Sequence, residues 1–510
     1  MSHLFLAARP EEILAQGQAK AAPGQPRLTR RPPAATGKDL FYMSQDASPS
    51  QPHVVVLGGG PCGLYAARVL SRAGVAVTLL EKGALPGGLA TSHLRGENWY
   101  DMGCHMLHEF DKEIYEDIME LMGDESIPVA LNAKIRWAGS FYRYPLQFQD
   151  MIKGIPLPIL VFYTLGLFTA QFRKSVAPWV PKNAEEALIQ LYGTPLYKFF
   201  FKDFTHRYWG IHPRELSATF ITTKMPRLSA VDVLKKAMGK LGVKEDKGVK
   251  AVDSALHEET LHYSRTGAEA MPRALAKSIE AAGGRVILGA EVSRLEIQDD
   301  RVTKVHYVKD GQEIAIDCTE CISTIPLPWL AQKANPAPPT AVVEASKKLR
   351  FKPIAIYGLL VKKEKCIDAL YIYYRDRTFH RVGEPKNAGL VVKPEGHTTL
   401  IVETTCEIGD PKWVGSDAAK EQIYKDLELE GICKKSDVVE SHLMQSETGY
   451  PVFALGFEPY LEEVMNWVKS IKNLQSNGRQ GGFKYPNMHS AMRMGWTCAQ
   501  VAMKRLGLME

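Results

Sequence analysis

The chain has 510 residues, room for two to four domains, and its 45% hydrophobic and 24% charged residues describe a globular protein rather than a disordered or fibrous one. A net charge of +6 is too thin over this length to mark a nucleic-acid binder. Eight cysteines form no disulfide framework and suit a reducing compartment, and fourteen histidines show no zinc-type spacing, so no metal site is expected.

Residues 1–51 read as a disordered leader. Pro, Ala, Gln, Ser and Gly dominate, and Arg27, Arg30, Arg31, Pro32 and Pro33 cluster; such a stretch buries too little apolar surface to order itself. It lacks a long apolar core followed by a small-residue cleavage site, which argues against a secretory signal. A transit peptide and a true start at Met43 are the alternatives, with Glu11, Glu12, Asp39 and Asp46 counting against the former. The first strong signal follows. Val54 to Leu57 are all apolar, as in a strand buried on both faces of a parallel sheet. Gly58, Gly60 and Gly63 then spell Gly-x-Gly-x-x-Gly, with Cys62 inside the turn, before a helix whose one face is Leu64, Ala67, Val69 and Leu70. A second apolar run, Val75 to Leu80, ends on Glu81, 18 residues after Gly63. The glycines permit a tight turn, close approach of a pyrophosphate and tight helix packing. The helix N-terminus offers free N–H groups to phosphate, and Glu81 can accept from a ribose diol. Strand, turn, helix, strand and acid together predict a Rossmann-like dinucleotide site.

After Glu81 and Lys82, a second glycine pair, Gly87 and Gly88, precedes Leu89 and suggests a loop running along an extended cofactor. Trp99-Tyr-Asp-Met-Gly-Cys-His-Met-Leu-His follows. The run from His53 to His108 resembles flavoproteins of the amine oxidase, protoporphyrinogen oxidase and phytoene desaturase group. The resemblance implies FAD rather than NAD and places His105 near the flavin ring; two ordinary loop histidines are the competing reading of His105 and His108. Residues 141–148, Phe-Tyr-Arg-Tyr-Pro-Leu-Gln-Phe, are similar to a stretch of UDP-galactopyranose mutases, a redox-neutral branch of the same superfamily. That makes Arg143 a candidate substrate-anion contact, with a solvated strand-end arginine as its rival.

Gly154 to Phe172 are 19 residues without a charge. Pro156 and Pro158 break the start, so a helix is expected from near Ile159; about 14 residues would rise about 21 Å, short of a ~30 Å hydrocarbon core. A buried helix walling an apolar chamber and a surface helix dipping into one leaflet are the two readings. Residues 184–238 read as helices, with a dense aromatic group at Phe199, Phe200, Phe201, Phe204, Tyr208 and Trp209. Residues 246–254 read as a loop. A helix from Pro272 to Ala282 ends at Gly283-Gly284. The strand Arg285 to Leu288 leads to Val292, whose backbone, by the resemblance, holds the adenine. Val302 to Val308, Asp310-Gly311 and Glu313 to Asp317 form a hairpin. Cys318 and Cys321 are spaced Cys-x-x-Cys in a strand-like run, and strand-end thiols explain them better than a redox or metal site.

Ala355 to Val361 and Thr398 to Thr405 suit the sheet of a second domain. Between them, Tyr371-Ile-Tyr-Tyr and Phe379-His-Arg-Val look like the mutase branch, and Arg381 is a substrate-binding candidate, with a structural ion pair as its rival. The segment Asn473 to Gly495 resembles the closing flavin motif. It places Gly478 and Arg479 by the pyrophosphate, and Asn487 and Met488 at the start of a last helix directed at the flavin; His489 stands where the family usually has Asp. The expected class is α/β, α+β overall: a Rossmann-like FAD-binding domain built from 52–130, 251–335 and 441–510, and a discontinuous substrate domain of helices (131–250) and mixed sheet (336–440). The expected function is an FAD-dependent oxidoreductase removing a hydride from an apolar C–N or C–C substrate. The alternative is a mutase acting on a nucleotide sugar. A small-molecule partner, no nucleic acid, and a cytoplasmic place with peripheral membrane contact complete the expectation.

Overall fold

The computed structural model describes residues 52–144, 150, 156–224 and 260–509. The leader, the end of the 141–148 stretch, the predicted helix beyond 224 and the 246–254 loop lie outside the described residues.

Five parallel strands form the first sheet, in the order Leu474–Ser476, Glu320–Ser323, His53–Leu57, Ala76–Glu81 and Arg285–Leu288. Its central strand is covered on both faces, which is why it reads as a continuous apolar run. Side chains alternate across a strand. Val54 and Val56 therefore pack with Leu64, Ile114, Met271 and Met492 from four helices. Val55 and Leu57 face the other way, toward Leu295, Val305, Leu330 and Val464. This second layer includes a four-stranded sheet, Gln312–Asp317, Arg301–Lys309, Glu291–Gln298 and Ala334–Asn335. Its hairpin turns at Asp310 and Gly311, both with positive φ (51° and 77°), the backbone a two-residue hairpin demands.

A seven-stranded mixed sheet runs Val438–Pro451, Phe351–Val361, Thr398–Thr405, Arg381–Gly383, Tyr371–Tyr374, Ala133–Trp137 and Ser140–Tyr144. One face, with Ile356, Ile401 and Met444, buries the aromatic helices between Ala184 and Trp209. The other, with Tyr357, Leu359 and Val402, is closed by the helix Asp417–Leu429.

The helix Leu157–Val176 begins two residues earlier than expected and has 20 residues. Pro156 and Pro158 do not break it, because proline is tolerated in a first turn whose N–H groups have no intrahelical partner. It is neither wholly buried nor wholly superficial. Leu160, Leu167 and Ala170 enter the core, while Ile159, Val161, Phe162, Leu165, Phe172 and Val176 stand exposed. Among the described residues no helix is long and apolar enough to cross a membrane.

Candidate functional site

The turn after the first strand is shaped by what its glycines lack. A Cβ on Gly63 would sit 2.0 Å from the carbonyl oxygen of Gly58, so only glycine lets the helix Pro61–Arg72 approach the strand. A Cβ on Gly60 would meet nothing within 4 Å: the space above it belongs to no protein atom. The helix has no side-chain cap and no acid in its first turn, leaving its N-terminal dipole available to an anion. Glu81 is held by its own neighbours, accepting from the N–H of Gly59 (2.6 Å) and of Gly83 (2.7 Å). The second glycine loop is tied to the first, with Gly87 N–H donating to Gly59 C=O at 2.7 Å.

A second uncapped helix start comes from the far end of the chain. Met488–Arg505 begins after Asn487 without a side-chain cap or an early acid. It packs so closely on Pro61–Arg72 that a Cβ on Gly495 would lie 2.1 Å from Cys62 C=O. Gly478 abuts Cys62 as well. Both helix starts open on one cavity of about 1550 Å³.

Most of the residues anticipated from sequence line that cavity: Gly58, Gly60, Cys62, Glu81, Lys82, Gly88, Leu89, His105, Val292, Arg381, Arg479, Asn487 and Met488. Gly63, Gly87 and Gly478 stand just behind the lining, in the packing described above. Arg143 does not join them. Its guanidinium is half exposed and ion-paired to Asp150 (Nε–Oδ2 3.0 Å).

His105 lines the cavity half-buried. Burial first, then the nearby Arg479 and Arg381 charges, push its imidazole down to about 4, so the ring is neutral at pH 7. Its Nδ1 lies 3.2 Å from Gly103 C=O. Arg381 forms a fork with Glu403, Nε–Oε1 2.6 Å and Nη2–Oε2 2.7 Å. Burial opposes both charges, yet each stabilises the other: the Arg381 charge holds the Glu403 carboxyl far below its usual range, and Glu403 keeps Arg381 firmly protonated. Tyr371 and Tyr373 stack on the same guanidinium, 5.3 and 5.5 Å from their ring centroids. On the other side Arg479 lies over Tyr485 (4.6 Å) and Tyr450 (5.5 Å). Tyr450 in turn meets Tyr208, which meets Phe204.

Sequence reasoning missed Glu403, Arg375, Tyr450 and Tyr485. A lone acid in the apolar strand Thr398–Thr405 was a usable signal for Glu403. Tyr450 and Tyr485 carry no such mark.

The open space above Gly60, two uncapped helix starts facing one cavity, and a carboxylate beside the first of them fit an extended flavin dinucleotide. A cofactor chamber at the carboxyl ends of a parallel sheet, continuing into an aromatic compartment, defines a flavoenzyme. The model of the flavin containing amine oxidoreductase family matches residues 61–377, and the chain belongs to that family; its cofactor is FAD. Phytoene dehydrogenase of Streptomyces griseus is 26% identical over 295 residues, 54% of this chain and 55% of that one. The dTDP-fucopyranose mutase of Escherichia coli is 22% identical over 177 residues, 33% and 44%. The chain thus spans about half the length of the curated relatives it matches. Among solved structures, a reduced UDP-galactopyranose mutase shares the fold with a TM-score of 0.73 at 20% identity, over 90% of this chain and 96% of that one.

Proposed function

We propose that the protein is an FAD-dependent oxidoreductase that oxidises an apolar substrate at a C–N or C–C bond. The observation that carries this reading is the aromatic part of the cavity wall, formed by Tyr192, Phe200, Phe201, Phe204, Tyr208 and Trp209. Such walls exclude water and hold a rigid apolar body by contact area.

When bound, FAD supplies the two-electron redox chemistry. The chain's own residues do the rest. Amides at the start of Pro61–Arg72 would hold the pyrophosphate, with the bare Cα of Gly60 allowing its approach. Glu81 would accept from the ribose, and the backbone at Val292 would meet the adenine. The start of Met488–Arg505 would stabilise negative charge on the ring system. His105, neutral at pH 7, can accept or donate a hydrogen bond there without adding charge.

A second reading is supported by a separate observation. Arg381, with Tyr371 and Tyr373 against it, could bind the pyrophosphate of a nucleotide sugar, as a mutase requires. Its charge is already matched by Glu403, which weakens that case. The exposed apolar side chains of Leu157–Val176, followed by Arg173 and Lys174 at its end, support peripheral contact with a membrane that would deliver an apolar substrate.

The test is anaerobic mixing of the FAD-loaded protein with lipophilic amines, polyenes and UDP-sugars. Net bleaching of the flavin's visible absorption by an apolar compound supports the oxidoreductase. Turnover of a UDP-sugar only after prior chemical reduction, with no net change of flavin state, would overturn it in favour of the mutase.

A further inference from the structure

Arg375 lines the same cavity but none of the roles above uses it. Its side chain follows the strand Tyr371–Tyr374 into the aromatic compartment, and the residue is only 7% exposed. Its guanidinium lies over Trp137 (4.6 Å), Phe200 (5.4 Å) and Phe204 (5.6 Å). Among the described residues no carboxylate comes within ion-pair distance of it, in contrast to Arg381 a few residues on. Desolvation pushes it down to about 9, with Asp203 only partly offsetting the penalty. It remains a cation at neutral pH, with Asp203 and Asp376 acting on it only from beyond ion-pair distance.

The surrounding wall repeats the pattern. Arg375 Nε is buried without a hydrogen-bond partner. So is the indole Nε1 of Trp137, on which Arg375 stacks. An orphaned buried donor costs about 1–3 kcal/mol, and more when charged. Two of them side by side, one on a cation whose residue lines the cavity, favour an acceptor brought in by a ligand. Cation–π stacking accounts for part of the burial, but it satisfies neither the N–H groups nor the charge.

We propose that Arg375 is a binding residue for an oxyanion carried by the substrate, so that the substrate class is an apolar, ring-bearing molecule with a carboxylate or phosphate group. A planar guanidinium matches either group with two N–H donors. The same charge repels a free amine, so cationic amines are selected against in this compartment. The inference rests on the aromatic compartment being the substrate chamber, and it adds the polar handle that orients an otherwise featureless body.

Calorimetric titration of the FAD-loaded protein with naphthoate, naphthyl phosphate and the uncharged naphthamide tests it. At least one anion should bind about tenfold or more tightly than the amide, and the tighter of the two identifies the group. Arg375→Met should abolish that preference with flavin content unchanged and Tm no lower, and Arg375→Lys should keep most of it. Should Arg375→Met fail to fold, Arg375→Gln serves instead: it keeps N–H donors, removes the charge and should lower the preference several-fold. Equal binding of all three probes to the wild type, or an undiminished preference in Arg375→Met, would overturn the assignment. An anion preference in a protein whose flavin no apolar substrate reduces sinks the oxidoreductase reading and upholds the subsite.

Discussion

Glu403→Gln isolates the buried pair at the heart of the cavity. The substitution keeps the shape of the side chain and removes its charge. Glu403 receives the Arg381 fork at 2.6 and 2.7 Å and the Cys104 N–H at 3.2 Å, and its side chain is 4% exposed. Removing one partner of such a pair leaves the other charge stranded in low dielectric, a loss of about 3–5 kcal/mol. The full-length protein should therefore show that deficit in urea or guanidinium unfolding followed by near-UV circular dichroism. The deficit should not depend on mild acid. Glu403 has a depressed native pKa, so its stabilisation is complete above the unfolded value, about 4.3, and is lost only as pH falls through the native value. The difference between wild type and variant should stay constant from pH 7 to about 5. The double variant Arg381→Met/Glu403→Leu should recover most of the loss, because an apolar pair strands no charge. A deficit under about 1 kcal/mol would mean a solvent-screened pair, against the 4% exposure of Glu403.

Three further outcomes are expected. Gly60→Ala should leave the stability of the apoprotein within about 0.5 kcal/mol, since nothing lies near its Cβ and its φ of −73° suits alanine, yet weaken FAD binding at least about tenfold by equilibrium titration, because the methyl occupies the approach to the pyrophosphate. Gly63→Ala, whose Cβ would collide with a carbonyl at 2.0 Å, should instead prevent soluble folding; equal effects of the two would refute the division of labour in the turn. The apoprotein should lose stability as pH falls from 6.5 to about 4, because His105 takes up a proton more readily when unfolded. Each pH unit between those two values costs about 1.4 kcal/mol, so the loss from His105 comes to about 3 kcal/mol, and His105→Gln should make that part of a Tm-against-pH curve shallower, His53, His93, His262 and His380 keeping the remaining slope. Phe162→Asp/Phe172→Asp, at side chains 61% and 71% exposed, should abolish co-sedimentation with anionic vesicles without changing Tm; a wild type that stays in the supernatant would remove the membrane from the account.

What could be read from the sequence follows the range of the interactions involved. The strand, glycine turn, helix and acid from His53 to Glu81 are contiguous, and each part has a local reason for its residue type. The Asp310-Gly311 hairpin is legible for the same cause. The order of the seven-stranded sheet is not, since Ala133 pairs with Tyr371 and Arg381 with Glu403 across long connections. The Arg381–Glu403 fork is a cross-strand neighbour pair whose partners sit on different strands, so only the register reveals that the arginine is neutralised. For Arg143 a motif fixes the residue type and not its company: Asp150, close in sequence, pairs with the guanidinium at the surface. Arg375 was within reach of a purely local argument. Side chains repeat every two residues on one face of a strand, so if Tyr371 and Tyr373 face a chamber, the next position on that face is 375. All three line the cavity. The two cations of this segment are thus distinguished by pairing rather than by position: Arg381 spends its charge on Glu403, and Arg375 keeps its charge for a group the protein does not itself contain.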